Sequence, residues 1–395
     1  MTERKLKPAS RLVHAGRRPQ DHHGSVNPPT YRTSTVLFPD YASWLESNKP
    51  GSTAYRYGLI ATPTSRAFEA AMAELYGVET CVAVSSGLAM VTVALLALVK
   101  AGDHILVADS VYQPTRQFCD GMLKRLGVET TYYDPTIGAA IAALLRPETT
   151  VVYTESPGSL TFEVQDIPAI TAAAHAAGAR VVIDNTWATA LRFNPFRHGV
   201  DVVLEATSKY VGGHSDMIGG VMLAEGAAAR ALHRAAKMLG ICCGPDDLYL
   251  SQRGLRSLGV RLDRSEATGL ELARWLEKRP EVARVLHPAL PADPGHALWR
   301  RDFAGAAGLF AMLLHPVSEP AFRAFFDGFR LFGLGVSWGG YESLILPFDL
   351  AQIRTARPWT EPGRLVRLYA GLEDPQDLAA DLDDAFRRMN EAASR

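Results

Sequence analysis

The chain of 395 residues is poor in cysteine, with four residues at Cys81, Cys119, Cys242 and Cys243. None forms a C-x-x-C pair, and the adjacent Cys242 and Cys243 suit neither a zinc site nor a disulfide framework. Reduced thiols in a cytoplasmic protein are the expectation. No uninterrupted apolar segment approaches a membrane span, and the opening Met1-Thr-Glu-Arg-Lys-Leu-Lys-Pro8 has no apolar core of a secretory signal. Neither sign of charge is in excess: 41 Lys and Arg face 42 Asp and Glu, a formal charge of −1. A nucleic-acid or anionic-membrane partner is therefore not expected. Walker, H-E-x-x-H and G-x-S-x-G motifs are missing. Lysine itself is scarce, at eight residues against 33 arginines.

What is present is an ordinary globular composition, 47% apolar and 21% charged, on a chain too long for one core. Residues 1–60 read as an arm rich in Pro, Tyr, Ser and Thr without a sustained helical period. Such an arm is expected to be functional or to pack on a partner. From Thr64 onward strands and helices alternate. Strands are expected over Cys81–Val84, His104–Ala108, Glu129–Tyr133, Val151–Thr154, Arg180–Ile183, Val202–Leu204 and Val221–Ala224. Helices are expected over Thr64–Tyr76, Gly87–Val99, Pro114–Leu126, Ile167–Ala177 and Ala227–Leu239. This rhythm implies an α/β domain with a mostly parallel sheet over 61–245. Past 245 the rhythm changes to one helical stretch, Asp246–Leu276, a few short strands and a closing helix from Pro375. That describes a smaller C-terminal α+β domain over 246–395.

Two strand ends carry chemistry. Val202–Leu204 runs into Glu205-Ala-Thr-Ser-Lys-Tyr-Val-Gly-Gly-His-Ser-Asp216, so Lys209 follows a buried strand and precedes a glycine-rich turn. Val181–Ile183 ends in Asp184. Open α/β sheets bind ligands at the carboxyl ends of their strands, so the two can face one pocket. A lysine that forms a Schiff base with an aldehyde, and an acid that keeps a pyridine nitrogen protonated, fit pyridoxal phosphate. Taken alone, Lys209 also reads as a solvated surface lysine and Asp184 as a helix cap or ion-pair partner.

The segment around Lys209 resembles the cofactor-lysine signature of the Cys/Met-metabolism family of pyridoxal-phosphate enzymes. Val336-Ser-Trp-Gly-Gly-Tyr-Glu-Ser-Leu344, Leu365-Val-Arg-Leu-Tyr-Ala-Gly-Leu-Glu-Asp374, Glu155-Ser-Pro-Gly-Ser159 and Arg284-Val-Leu-His-Pro-Ala-Leu-Pro291 resemble its cystathionine β-lyase branch. The likeness runs from about residue 10 to about 390. It implies fold-type I, the aspartate-aminotransferase-like architecture, and α,β-elimination on an amino-acid substrate, with γ-acting relatives or a non-catalytic pyridoxal-phosphate-binding protein as alternatives. It further implies a homotetramer, a dimer of dimers with shared sites.

By the same resemblance, the amides of Gly87 and Leu88 at a helix start bind the cofactor phosphate, in keeping with the anion preference of helix N-termini, and Ser208 adds a hydroxyl. Tyr112 stacks on the pyridine ring and moves protons. Arg367 holds the substrate carboxylate, a task suited to its planar fork. Ser337 orients Lys209 or the substrate carboxylate, and Trp338 lines the distal pocket. Tyr57 reaches the phosphate of a neighbouring subunit. Two positions depart from the family pattern: Leu59 stands where an arginine accompanies that tyrosine, with Arg56 as a hypothetical replacement, and Val336 stands where a tyrosine or glutamate is usual.

Overall fold

The computed structural model describes residues 6–49, 51–351 and 353–394. Seven strands form the larger sheet: β1 (Thr80–Val84), β2 (His104–Ala108), β3 (Glu129–Tyr133), β4 (Thr149–Glu155), β5 (Arg180–Asp184), β6 (Val202–Glu205) and β7 (Gly220–Ala224). Their order is β1-β7-β6-β5-β4-β2-β3. The run from β6 to β3 is parallel, whereas β7 is antiparallel to both neighbours. Strands β2, β6 and β7 are buried along their whole length. That is why they read as continuous Val, Ile and Leu runs rather than as alternating patterns. Burying each such side chain contributes roughly 1.5–3 kcal/mol.

The strand ends come level where polar residues halt the apolar runs. Glu155 on β4 pairs with Asp184 on β5, and Asp184 in turn with Leu204 on β6. Three acids therefore stand along one rim: Glu155, Asp184 and, one residue past Leu204, Glu205. A fourth, Asp109, directly follows β2.

A second sheet of β8 (Val282–Leu286), β9 (Leu309–Leu314), β10 (Leu344–Phe348) and β11 (Arg364–Tyr369) is antiparallel throughout, in the order β10-β11-β9-β8. It has its own core. Phe310, Met312, Val366 and Leu368 pack with Leu272 and Leu276 of the Leu258–Leu276 helix, Phe322 and Phe325 of the Glu319–Phe326 helix, and Phe386 of the Pro375–Ala393 helix.

Three local differences from the sequence reading have physical causes. The arm contains two seven-residue helices, Pro8–His14 and Tyr41–Ser47. The second is capped by Asp40, whose carboxylate accepts the Ser43 N–H at 2.7 Å. Two turns are too short for a period to register, but the cap was readable. The stretch expected as one helix over Asp246–Leu276 is two, Pro245–Leu255 and Leu258–Leu276. The break follows Gly254, which packs so closely on the lysine loop that a Cβ there would lie 2.1 Å from the Val211 carbonyl oxygen. The expected Pro114–Leu126 helix is Gln113–Phe118 followed by a wider, π-type turn over Cys119–Leu123.

Candidate active site

Lys209 sits in the loop between β6 and β7, four residues beyond the last strand residue. The loop is held from behind by Arg261, which donates to the carbonyls of Tyr210 and Gly254 at 2.8 Å each. The Lys209 Nζ donates to Ser337 Oγ at 2.8 Å and lies 5.2 Å from the centre of the Trp338 ring. The approach depends on Gly339. Its φ is +88°, and a Cβ there would meet the Lys209 Cα and the Tyr210 nitrogen at 2.9 Å. Only glycine accommodates that conformation and that proximity.

Burial, reinforced by the Arg367 charge and opposed by Asp184, pushes the Lys209 amine down to about 8. Near neutral pH a sizeable neutral fraction is then available as nucleophile or base, which an ordinary lysine lacks. Arg367 on β11 is itself buried, and its Nη2 donates to the carbonyls of Val336 and Ser337 at 3.0 and 3.2 Å. Desolvation lowers it to about 10, so it stays cationic while its remaining donors are left for an anion. Ser337 thus touches the lysine through its hydroxyl and the arginine through its carbonyl.

Asp184 ends β5 and is buried. Burial pushes its carboxyl upward, against hydrogen bonds from Thr186 and the charge of Lys209. Both Thr186 contacts, N–H at 3.0 Å and hydroxyl at 2.5 Å, fall on Oδ1. Oδ2 therefore has no hydrogen-bond partner among the described residues. The Thr186 hydroxyl also accepts the Ala206 N–H at 2.9 Å, tying the acid to the loop that carries Lys209.

Tyr112 caps the Gln113–Phe118 helix, and its N–H donates to Glu155 Oε2 at 2.7 Å. Desolvation first, then the carboxyls of Asp184 and Glu155, raise its phenol above the usual range, with Arg367 opposing. Glu155 is pushed well up by burial and by Asp184. These mutual influences place Tyr112, Glu155, Asp184, Lys209 and Arg367 in one electrostatic neighbourhood.

Gly87 and Leu88 open the Gly87–Leu98 helix. Its cap, Ser86, takes the Ala89 N–H at 3.0 Å, and the Gly87 and Leu88 amides have no protein acceptor among the described residues. A Cβ on Gly87 would come within 3.0 Å of Ala206, so the glycine lets the helix start close over the lysine loop. The Ser208 hydroxyl is engaged with Gly219, donating to its carbonyl at 3.2 Å and accepting its N–H at 3.0 Å. It would exchange the first of these contacts to donate to a phosphate.

Tyr57 stands apart. It bridges to Thr35 in the arm and lines a cavity of about 740 Å³ together with Leu59, Arg32, Arg234 and Lys237. The walls of that cavity include none of the residues grouped around Lys209. Arg56 is not in this wall either, and its guanidinium bonds Asn48. The chain turns directly after Tyr57, with the Ile60 N–H on the Tyr57 carbonyl at 2.9 Å.

Sequence reasoning did not single out Thr186, Glu155 as the acceptor for Tyr112, or Asp109. The signal was available for the two acids: each directly ends or follows an apolar strand, just as Asp184 does.

An acceptor oxygen and two helix-start N–H groups without partners among the described residues, with a desolvated amine, are the groups that the ring nitrogen, phosphate and aldehyde of pyridoxal phosphate require. Comparison with known proteins agrees. The family described as Cys/Met metabolism PLP-dependent enzyme matches residues 9–387. A putative cystathionine beta-lyase of Rhizobium johnstonii is 50% identical over 95% of both chains. The cystathionine beta-lyase MetC of Escherichia coli is 40% identical over 98% of this chain and 100% of its own. An L-alanine/L-glutamate racemase of Wolbachia pipientis is also 40% identical, over 97% and 98%. Among solved structures, cystathionine gamma synthase from Xanthomonas oryzae superposes with a TM-score of 0.90 at 30% identity, covering 98% of this chain and 100% of that one. The chain belongs to the Cys/Met metabolism family of PLP-dependent enzymes.

Proposed function

We propose that this enzyme is a cystathionine β-lyase: it eliminates homocysteine from the β-carbon of cystathionine, and one water hydrolyses the released three-carbon enamine to pyruvate and ammonia. The observation that carries the reading is the contact of Lys209 Nζ with Ser337 Oγ at 2.8 Å, in a loop that also turns its carbonyls to Arg367. It sets a proton-accepting amine beside the grip on the substrate carboxylate.

Bound pyridoxal phosphate supplies the electron sink that makes an α-proton removable. Asp184 Oδ2 would hold its ring nitrogen, and the Gly87 and Leu88 amides with Ser208 would hold its phosphate. Arg367 takes the α-carboxylate in a two-point grip. The Lys209 amine, near 8, removes the α-proton at a pH where it is partly neutral. Ser337 holds that amine in line. The departing β-sulfur takes its proton from Lys209 or Tyr112. Trp338 borders the distal side of the substrate. Tyr57 on the arm serves the phosphate of a second copy, in a homotetramer built from dimers.

The sequence similarity to a racemase favours a second reading, in which the same α-proton is removed and returned on the other face, and nothing is eliminated. Product analysis separates the readings. Purified enzyme with cystathionine is expected to yield pyruvate, and Lys209→Ala none. Formation of 2-oxobutyrate would assign a γ-elimination, and a D-amino acid without keto acid would assign racemisation. Cofactor binding without α-proton exchange in deuterated water would mean a non-catalytic holder of the cofactor.

A further inference from the structure

Asp109 follows β2 directly and is enclosed, with 1% of its surface exposed. Its Oδ1 accepts from the Arg116 guanidinium, from the Thr355 N–H at 3.0 Å and from the Thr355 hydroxyl at 3.2 Å. Its Oδ2 accepts from Arg354 Nε at 3.2 Å and from the N–H groups of Thr355, Ala356 and Arg357 at 3.0, 3.1 and 2.9 Å. Burial pushes this carboxyl up, but the amides and the two guanidiniums outweigh it and hold it below the usual carboxylate range.

Such a hub exceeds an exposed ion pair, which contributes little. A buried charge persists only when its hydrogen bonds are complete, and here both oxygens are saturated. The place of the hub gives it a role. On one side it closes the turn 109–116: Tyr112 is its middle, Arg116 lies one helical turn past Tyr112, and the Thr115 N–H bonds the Tyr112 carbonyl at 2.9 Å. On the other side it grips residues 354–357, which lie between β10 and β11 and so lead into the strand of Arg367. Arg354 continues the grip to Glu163 and Thr161. Tyr112, by contrast, is 46% exposed, and the bonds on its own backbone leave its placement to the turn.

We propose that Asp109 is a positioning residue for Tyr112, fixing the Tyr112 turn against the 354–357 segment so that the phenol is presented over the site in one orientation. The inference rests on the reading of Tyr112 as a site residue, and its test keeps the two apart. In the holoenzyme, Asp109→Asn is compared in wild-type and Tyr112→Phe backgrounds. The readouts are kcat for pyruvate release, α-proton exchange in deuterated water, and cofactor content.

Residues that act as a unit give non-additive effects, with coupling of about 1 kcal/mol corresponding to roughly fivefold. Asp109→Asn is expected to lower both rates at least about fivefold in the wild-type background, and less than about twofold once Tyr112 is Phe. Equal losses in both backgrounds would reduce Asp109 to architecture and overturn the inference, as would no loss at all. Wild-type rates in Tyr112→Phe alone would overturn the reading of Tyr112 and the inference with it. Exchange without pyruvate would overturn only the elimination, leaving exchange as the measure of the cycle. Should Asp109→Asn fail to fold, Thr355→Val removes one hydroxyl from the hub and is judged by the same non-additivity.

Discussion

The Lys209 amine is buried while still able to carry a charge, and that must leave a mark on stability. Its ordinary value is 10.5, and the fold pushes it to about 8. Below pH 8 the cofactor-free protein holds a cation in a part-buried, largely desolvated site. Between pH 8 and 10.5 the folded amine is neutral while the unfolded one is still protonated. The unfolded chain then binds more protons, so stability rises with pH across that window. At about 1.36 kcal/mol per pH unit, the gap amounts to about 3 kcal/mol. Lys209→Met has similar length and no charge, so it lacks this term at every pH. Urea unfolding of cofactor-free wild type and Lys209→Met, followed by fluorescence at one protomer concentration, measures both. Going from pH 7.5 to 10.5, wild type should gain about 3 kcal/mol relative to the variant. Other titrating groups are common to the two proteins and cancel. Two curves that stay parallel would refute the claim that this amine is desolvated in the fold, and with it the account of why it works near neutral pH.

Gly339→Ala should lower stability by about 2 kcal/mol or more, because a Cβ at φ +88° meets the Lys209 backbone at 2.9 Å; thermal unfolding checks it, and an unchanged midpoint would contradict the close approach. Arg367→Lys should raise KM about tenfold or more with a smaller change in kcat, since a point charge replaces a two-point grip; steady-state kinetics with cystathionine decide it. Arg56→Ala should leave pyridoxal-phosphate affinity within about twofold of wild type, because Arg56 bonds Asn48 and stays out of the wall that Tyr57 and Leu59 share; a large loss in a fluorescence titration would reinstate it as the missing arginine.

Much of the larger sheet was legible because its signal is local. β2 and β3 fall on the residues expected from the sequence, and each stops where an acid begins, Asp109 and Asp134. Lys209, Asp184 and Tyr112 could be placed near one another for the same reason: the rim of a parallel sheet gathers whatever follows its strands. Arg367, inside β11 of the antiparallel sheet, was marked only by the motif around it. What could not be read is set by contacts distant in sequence. Gly339 is needed because Lys209 lies against it, 130 residues away. Thr186 matters because its hydroxyl meets Ala206 as well as Asp184. Asp109 collects amides from residues beyond 350, and no pattern near position 109 announces them. Tyr57 was readable as a motif, but it lines a cavity that includes none of the residues grouped around Lys209.

The bare position at 339 has a practical consequence for anyone who wishes to retune substrate choice. The Val336 side chain is exposed and invites exchange, whereas Trp338 packs edge-on against Tyr210 and does not. Any replacement loop, however, must hand over a hydrogen atom, and nothing larger, where it crosses the lysine. A transplant shifted by one residue would prise the Lys209 amine away from Ser337, and turnover is expected to fall before substrate choice changes.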